Sequence, residues 1–515
     1  MKQEAPQIET PSTIRLVYWE SLMALRSYAV LFALAIFGVL LAIAIALGVL
    51  RTQARQSVVR LAEEENCMVK EIIGDVLQGT LNSPGTTKES TSRQSRITKQ
   101  LRMTARSPYM VSHAPNLWDV SLFPSPLSAL SVGSSQTWPD VYRIAGVSLS
   151  KTVQRSTRVR PATSAYGPFD VAFVVMAIAP LVVIGLTFDV SSRDRELGLQ
   201  NLTLAQTRSL GKLMAVRCFV RAAFVIGLVV CIVNGTLLIA LGDQFDWSVV
   251  VSLLIWNVVA TVYLLIWAAL SLLVNSLAKT SSTNGAALLL LWLILVLLIP
   301  KFVSHAVQQA VPTRPESALA GREKDTFDQV SENVEDIVKS FQSEHPEIEI
   351  RLDDEQQMTL VRYLLTHRAA GSQAAENVRS HYYAQSLRTK YLNYSDWISP
   401  AISFRNQSDQ CSGNSELAFV AFSARAADVQ AEVMEAFLLP SITNEECTVE
   451  TIGGLPSLQI SDVAKRPSRF NSILSIVAML AWLTILVSLG IRQFRVKDLS
   501  HEHKSLRQNK GVESA

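Results

Sequence analysis

The chain has 515 residues, 49% hydrophobic and 18% charged, with a mean hydropathy of +0.24. It is too apolar for an ordinary soluble enzyme and too charged to be membrane spans alone, so composition describes a membrane protein with substantial water-facing parts. A formal charge of +3 gives no argument for nucleic-acid binding.

Residues 1–28 read as an N-terminal segment. Within it, Ile14 to Arg26 mixes Trp19, Leu22 and Met23 with Arg15, Glu20 and Arg26. That mixture fits a helix lying in the membrane interface or a cytosolic extension of the first span equally well. About 20 apolar residues cross about 30 Å of hydrocarbon as a helix. On that measure the spans fall at Ala29 to Leu50, Phe169 to Val190, Ala222 to Leu241, Trp247 to Val274, Gly285 to Val303 and Ile473 to Ile491. The first run is too long and lacks the cleavage pattern of a removed signal peptide, so it stays as an anchor. Pro180 is expected to kink the second span, and Pro300 with Lys301 to cut the fifth short. The fold class is an all-α polytopic membrane protein, with six transmembrane helices and a mostly helical extracytoplasmic domain built from two insertions.

Those insertions are residues 51–168, after span 1 (29–50), and residues 304–470, between spans 2–5 (169–303) and span 6 (471–491). The first is expected to open with a helix over Ser57 to Leu77 and to pass through a Ser- and Thr-rich loop, Asn82 to Ser95. The second carries an amphipathic helix with Phe327, Val330, Val334, Ile337 and Phe341 on one face, ended by Pro346, and then a helical region from Asp354 to Tyr391. The two are expected to pack as one body.

Short-loop basic residues set the orientation. The loop between spans two and three, residues 191–212 and the approach to span three, carries Arg193, Arg195, Arg208, Lys212, Arg217 and Arg221, whereas the turn between spans three and four has Asp243 and Asp246 and no Lys or Arg. The first is expected inside and the second outside, which puts Lys279, both termini and the 492–515 tail in the cytoplasm.

Chemistry is sparse. No G-x-x-x-x-G-K-[ST] occurs, so no phosphate-cradling loop is expected, and His501, Glu502 and His503 lack the spacing of a metal-binding helix. No catalytic, cofactor or metal residues are assigned, and no nucleic acid is expected as a partner. Asp170 and Asp189 are expected at span ends within reach of water. Asn234, Asn257 and Asn275 lie inside spans, where amides serve as interhelical glue or contact substrate. Cys411 and Cys447 could close a loop of about 35 residues, worth on the order of 3–4 kcal/mol, or remain two thiols. Cys67, Cys218 and Cys231 have no assigned partner.

Three stretches carry a resemblance. Asp170 to Leu204 (DVAFVVMAIAPLVVIGLTFDVSSRDRELGLQNLTL) is similar to the second span and coupling helix of type-2 ABC-transporter permeases, with Arg195, Glu196, Leu197 and Gly198 matching their charged E-R-E-x-G-type pattern. Pro124 to Leu149 and Ser399 to Phe422 resemble the subgroup with a large extracytoplasmic insertion between the first two spans. The chain departs from the pattern at Leu199, where a Thr is usual. The resemblance implies a permease subunit, itself no enzyme, in a bacterial cytoplasmic (inner) membrane. It would pair with a second permease chain as a homodimer or with a related permease, amid membrane lipid, and be driven by a cytosolic ABC ATP-binding subunit, with export the usual direction. Arg193, Asp194, Arg195, Glu196, Leu197, Gly198 and Lys279 are then the expected ATPase-coupling residues. A membrane-anchored extracytoplasmic interaction or sensing protein is the alternative, favoured by the large water-facing share of the chain.

Overall fold

A computed structural model of the protein describes residues 13–79, 101, 103–114, 117–144, 153–154, 169–199, 210–241, 246–277, 280–312, 316–348, 355–453 and 469–512. The loop Asn82 to Ser95, residues 200–209 and Lys279 lie outside them. In chain order come α1 (Thr13–Arg26), α2 (Tyr28–Leu77), α3 (Pro108–Ser112) and a small antiparallel sheet of β1 (Asp119–Ser121), β2 (Val141–Arg143) and β3 (Val153–Gln154), ordered β1-β2-β3. Then follow α4, α5 (Ser192–Glu196), α6 (Leu210–Leu241) and α7 (Trp247–Leu277). Here α4 is Val171–Phe173, a π turn at Val174–Ile178 and Ala179–Thr187. Next, α8 is Ser281–Trp292, a π turn at Leu293–Leu298 and Ile299–Ala310. The chain closes with α9 (Glu316–Glu332), α10 (Val334–Glu344), α11 (Glu355–Tyr394), α12 (Pro400–Cys411), α13 (Glu416–Thr443), α14 (Val449–Gly453) and α15 (Arg469–Val512).

Six helices, from α2, α4, α6, α7, α8 and α15, are long and apolar enough to cross a membrane, matching the six expected spans. Four of them run well past the expected bounds: α2 to Leu77, α6 from Leu210, α8 to Ala310 and α15 to Val512. Span 1 and the helix expected at Ser57 to Leu77 are one helix of 50 residues, α2. At 1.5 Å per residue it is about 75 Å long, more than twice the hydrocarbon thickness. No Gly or Pro separates the two parts, and Arg, Gln and Ala between them favour helix. Gly48 marks where α2 leaves the bundle: a Cβ there would lie 2.2 Å from the Ala129 carbonyl oxygen, so only glycine lets the turn at Pro126–Ala129 pack against it.

Span 5 is not cut short at Pro300; α8 runs on to Ala310. A proline removes one N–H and its ring collides with the carbonyl four residues back, and a π turn widens the helix just enough to relieve that collision. Pro180 and Pro300 both follow such a turn. The freed carbonyls are then claimed from neighbouring helices. The Met176 oxygen, four residues before Pro180, accepts from the Tyr263 hydroxyl on α7 at 2.6 Å, and Ala177 accepts from the Trp292 indole on α8 at 2.9 Å. In α8 the Leu295 oxygen accepts from Ser399 at 2.9 Å, and Ser399 in turn caps α12 by accepting from Ala401 N–H. That cap seats α12 among the spans, with Phe404 stacked on Tyr263 at 4.9 Å and Ser408 accepting from the Trp256 indole.

The two long segments share a core away from the bundle. Val69 and Ile73 of α2, Trp118 just before β1, Tyr142 of β2, and Phe419, Phe422 and Phe437 of α13 pack together there. This body is tied to α4 by charge. Asp170 caps α4, accepting from Phe173 N–H at 2.7 Å and from Val132 N–H at 2.9 Å, and pairs with Arg405 at 3.5 Å. Arg405 also pairs with Asp409 at 3.3 Å, whose carboxylate accepts from Ser131. Asp170 is fully buried, contrary to the water-accessible position expected of it, because the loop at Val132 and α12 fold over the start of α4. Burial pushes the Asp409 carboxyl up while Arg405 opposes the shift. Cys411 and Cys447 are free, buried thiols in separate cores, Cys411 in the bundle and Cys447 in the distal body, so the bridge does not form and the alternative of two thiols holds.

Asp396, in the turn before α12, is buried and accepts from Asn406 at 2.7 Å and from Ser475 on α15. Burial raises its pKa from 3.8 to about 6, the two hydrogen bonds opposing. The folded state therefore holds this proton more tightly than the unfolded chain does. Stability falls as pH rises from 3.8 to about 6 and levels off above, by about 3 kcal/mol at most; thermal unfolding of Asp396→Asn should lack that slope. Tyr263→Phe should cost about 1–3 kcal/mol in the same assay, because it strands the Met176 carbonyl where no water reaches.

Candidate functional site

The stretch after α4 folds into a short turn anchored at its base. Helix α5 stops at Leu197 because Gly198 adopts φ +70, a left-handed conformation that glycine reaches without strain. Gly198 N–H donates to Arg195 O at 3.1 Å and Leu199 N–H to Asp194 O at 2.8 Å, the paired bonds of a Schellman cap. Gly198 thus ends the helix.

Asn275, near the end of α7, is wholly buried beneath this turn. Its amide nitrogen donates to Thr187 O at 3.0 Å and Ser271 O at 2.9 Å. Its oxygen accepts from Ser191 N–H at 3.3 Å and from the Asn284 amide at 3.0 Å. Asn284, at the start of α8, also donates to Phe188 O at 3.1 Å, and Ser192 and Ser281 share a hydrogen bond at 2.8 Å. Arg195 reaches back to donate to Ser191 Oγ at 3.0 Å and to Asn275 O at 2.9 Å. Glu196 accepts from Ser281 N–H at 2.8 Å, placing a carboxylate on the first free amide of α8, where the helix dipole favours it. Asp194 pairs with Arg217 of α6 at 2.7 Å, and Arg217 pairs with Glu20 of α1 at 2.7 Å.

The expected residues therefore sort into two groups. Asp194, Arg195 and Glu196 hold the turn to α1, α6, α7 and α8. Arg193 and Leu197 face outward, as does Leu199 beyond the expected set, the leucines 62% and 44% exposed. Asn234 and Asn257 form a reciprocal amide pair, each nitrogen 3.0 Å from the other's oxygen, which locks α6 to α7. All three span amides thus have partners within the protein, as interhelical glue requires. Glu20, Arg217 and Asn284 were missed in the sequence. Their signals were present: Glu20 is an acid in an amphipathic helix, and Arg217 and Arg221 lie one turn apart where α6 enters the bundle, yet both arginines had counted only toward orientation.

Helix by helix, this is a multi-pass α-helical membrane protein. The chain belongs to the ABC-2 family transporter proteins, whose family model matches residues 19–499. It is thereby the membrane permease of an ABC transporter, the transmembrane rather than the nucleotide-binding component, and membership implies association with an ABC ATP-binding subunit. No curated protein matches the chain.

Removing the hub should loosen the turn. Asn275→Ala leaves Ser191 N–H without its acceptor and takes from the Asn284 amide one of three, at about 1–3 kcal/mol for the stranded N–H. Hydrogen–deuterium exchange of a peptide covering Phe188 to Leu199 should rise in this variant and stay unchanged in Arg193→Ala.

Proposed function

We propose that the chain is the permease subunit of an ATP-driven exporter, and that α5 is the coupling helix on which a separate cytosolic ATP-binding subunit acts. The observation that carries this reading is the two-sided turn: Leu197 and Leu199 are exposed, while Asp194, Arg195 and Glu196 are bonded to the membrane helices. Exposed leucines at the tip of a charged turn suit a protein partner better than water. A push on that tip moves α4, α7 and α8 together, because Asn275 and Glu196 bridge them.

Such a push does work only if two membrane conformations differ in stability when the partner closes. Two copies of the permease pair in the bilayer, each seated on one ATP-binding subunit, and Lys279 adds a second contact. The basic residues around the turn support a cytoplasmic side for it, both termini and the 492–515 tail, and the resemblance to type-2 permeases supports a bacterial inner membrane. Residues 51–168 and 304–470 then form the extracytoplasmic domain. Export follows from the resemblance to type-2 permeases.

Co-expression with the ATP-binding subunit of the same transporter tests this. The double variant Leu197→Arg/Leu199→Arg should lose co-purification of that subunit and permease stimulation of its ATPase by about 10-fold or more, as loss of a central apolar contact does. A complex that forms and hydrolyses ATP as before would refute α5 as the docking point.

A further inference from the structure

Two grooves open at the α5 end of the bundle, and they differ in charge. The first lies between α1, α6 and α15, with a volume of about 550 Å³. That is within the range of sites for small molecules. Val17, Phe219, Ala223 and Ile491 make its apolar walls, Lys212 and Arg495 are its ionic groups, and among the described residues no acid lines it. From Lys212 to Ala223 the helix rises about 16 Å, so the cations sit at one end and an apolar wall runs from them toward the middle of the bilayer. The second groove, between α1, α2 and α4, has a volume of about 740 Å³ and similar apolar walls, but there Arg193, Arg217 and Arg221 are offset by Glu20, Asp189 and Asp194.

We propose that the first groove binds one anionic phospholipid of the surrounding bilayer, its phosphate on Lys212 and Arg495 and an acyl chain along Phe219 and Ala223. Charge decides between the grooves: both accept a hydrocarbon chain, and only the first complements a net negative headgroup. Depth fits as well, because α1 exposes Tyr18, Trp19 and Met23 alongside, the aromatic and apolar groups that settle at headgroup level. The basic side chains reach from apolar stems to an anion at the same level. Such a lipid bridges the first turn of α6, which follows the charged loop, to the end of the last span. The proposal does not rest on α5 receiving an ATPase, and its test involves none.

The full chain, purified in detergent, is titrated with dioleoylphosphatidylglycerol and separately with dioleoylphosphatidylcholine, and bound lipid is counted by native mass spectrometry. The expected result is one lipid per chain with about a 30-fold preference for phosphatidylglycerol, the scale set by two basic residues at a headgroup. Lys212→Gln with Arg495→Gln should abolish the preference. Ala223→Trp, at an exposed position that tolerates bulk, should lower occupancy by both lipids. Arg193→Gln, in the second groove, should leave the preference intact. Equal binding of the two lipids, a preference that survives the double substitution, or one that disappears with Arg193→Gln would each overturn the assignment.

Discussion

Asn275 presents one carboxamide to four groups drawn from three helices and the chain between them. The end of α4, the chain leading into α5, the start of α8 and its own helix all bond to it, in a place no water reaches. Inside a low-dielectric bundle each such bond is strong when made and costly when lost, so the groups around the amide hold one arrangement. Arg195 and Glu196 extend that arrangement outward to the exposed tip of the turn. The rigidity of the turn is thus a property of the helices beneath it; α5 itself is only 5 residues long and could not stand alone.

The same rule, that a membrane interior tolerates no orphaned backbone group, explains how the prolines are used. Pro180 and Pro300 release carbonyls through their π turns, and Tyr263, Trp292 and Ser399 bind them from other elements. What reads as a defect in one helix is an attachment point for its neighbours. At the other end Arg405, between Asp170 and Asp409, fastens the distal body to α4 with a charge that only a paired carboxylate makes tolerable in a buried position. Polar networks at both ends hold an apolar bundle whose own packing is non-directional.

Several site residues were legible as residues but not in the bonds they make within the fold. Arg195, Glu196 and Gly198 stood out as a charged motif ending in glycine; the fold gives each a bond within or beneath the turn, and Leu197 and Leu199 face outward. The sequence shows charge density; it does not show which way a side chain points once a Schellman cap reverses the chain. Asp170 looked like a span end in water, and Cys411 and Cys447 looked like a candidate pair. Both readings depended on what folds over those positions from far along the chain.

The amino-acid sequence by itself determined the six spans and the helical class, because a run of apolar residues long enough to cross hydrocarbon has one backbone solution that satisfies its own hydrogen bonds. It also displayed the residue types at the turn. Only the tertiary structure decided that span 1 continues into a 50-residue helix, that α8 passes through Pro300, that Asp170 is sealed by Val132 and Arg405, and that Asn275 and Asn284 underlie the turn. These outcomes hang on partners far apart in the chain. Helix periodicity and hydropathy are local quantities, whereas the satisfaction of a buried polar group is settled by whichever distant atom arrives to bond it.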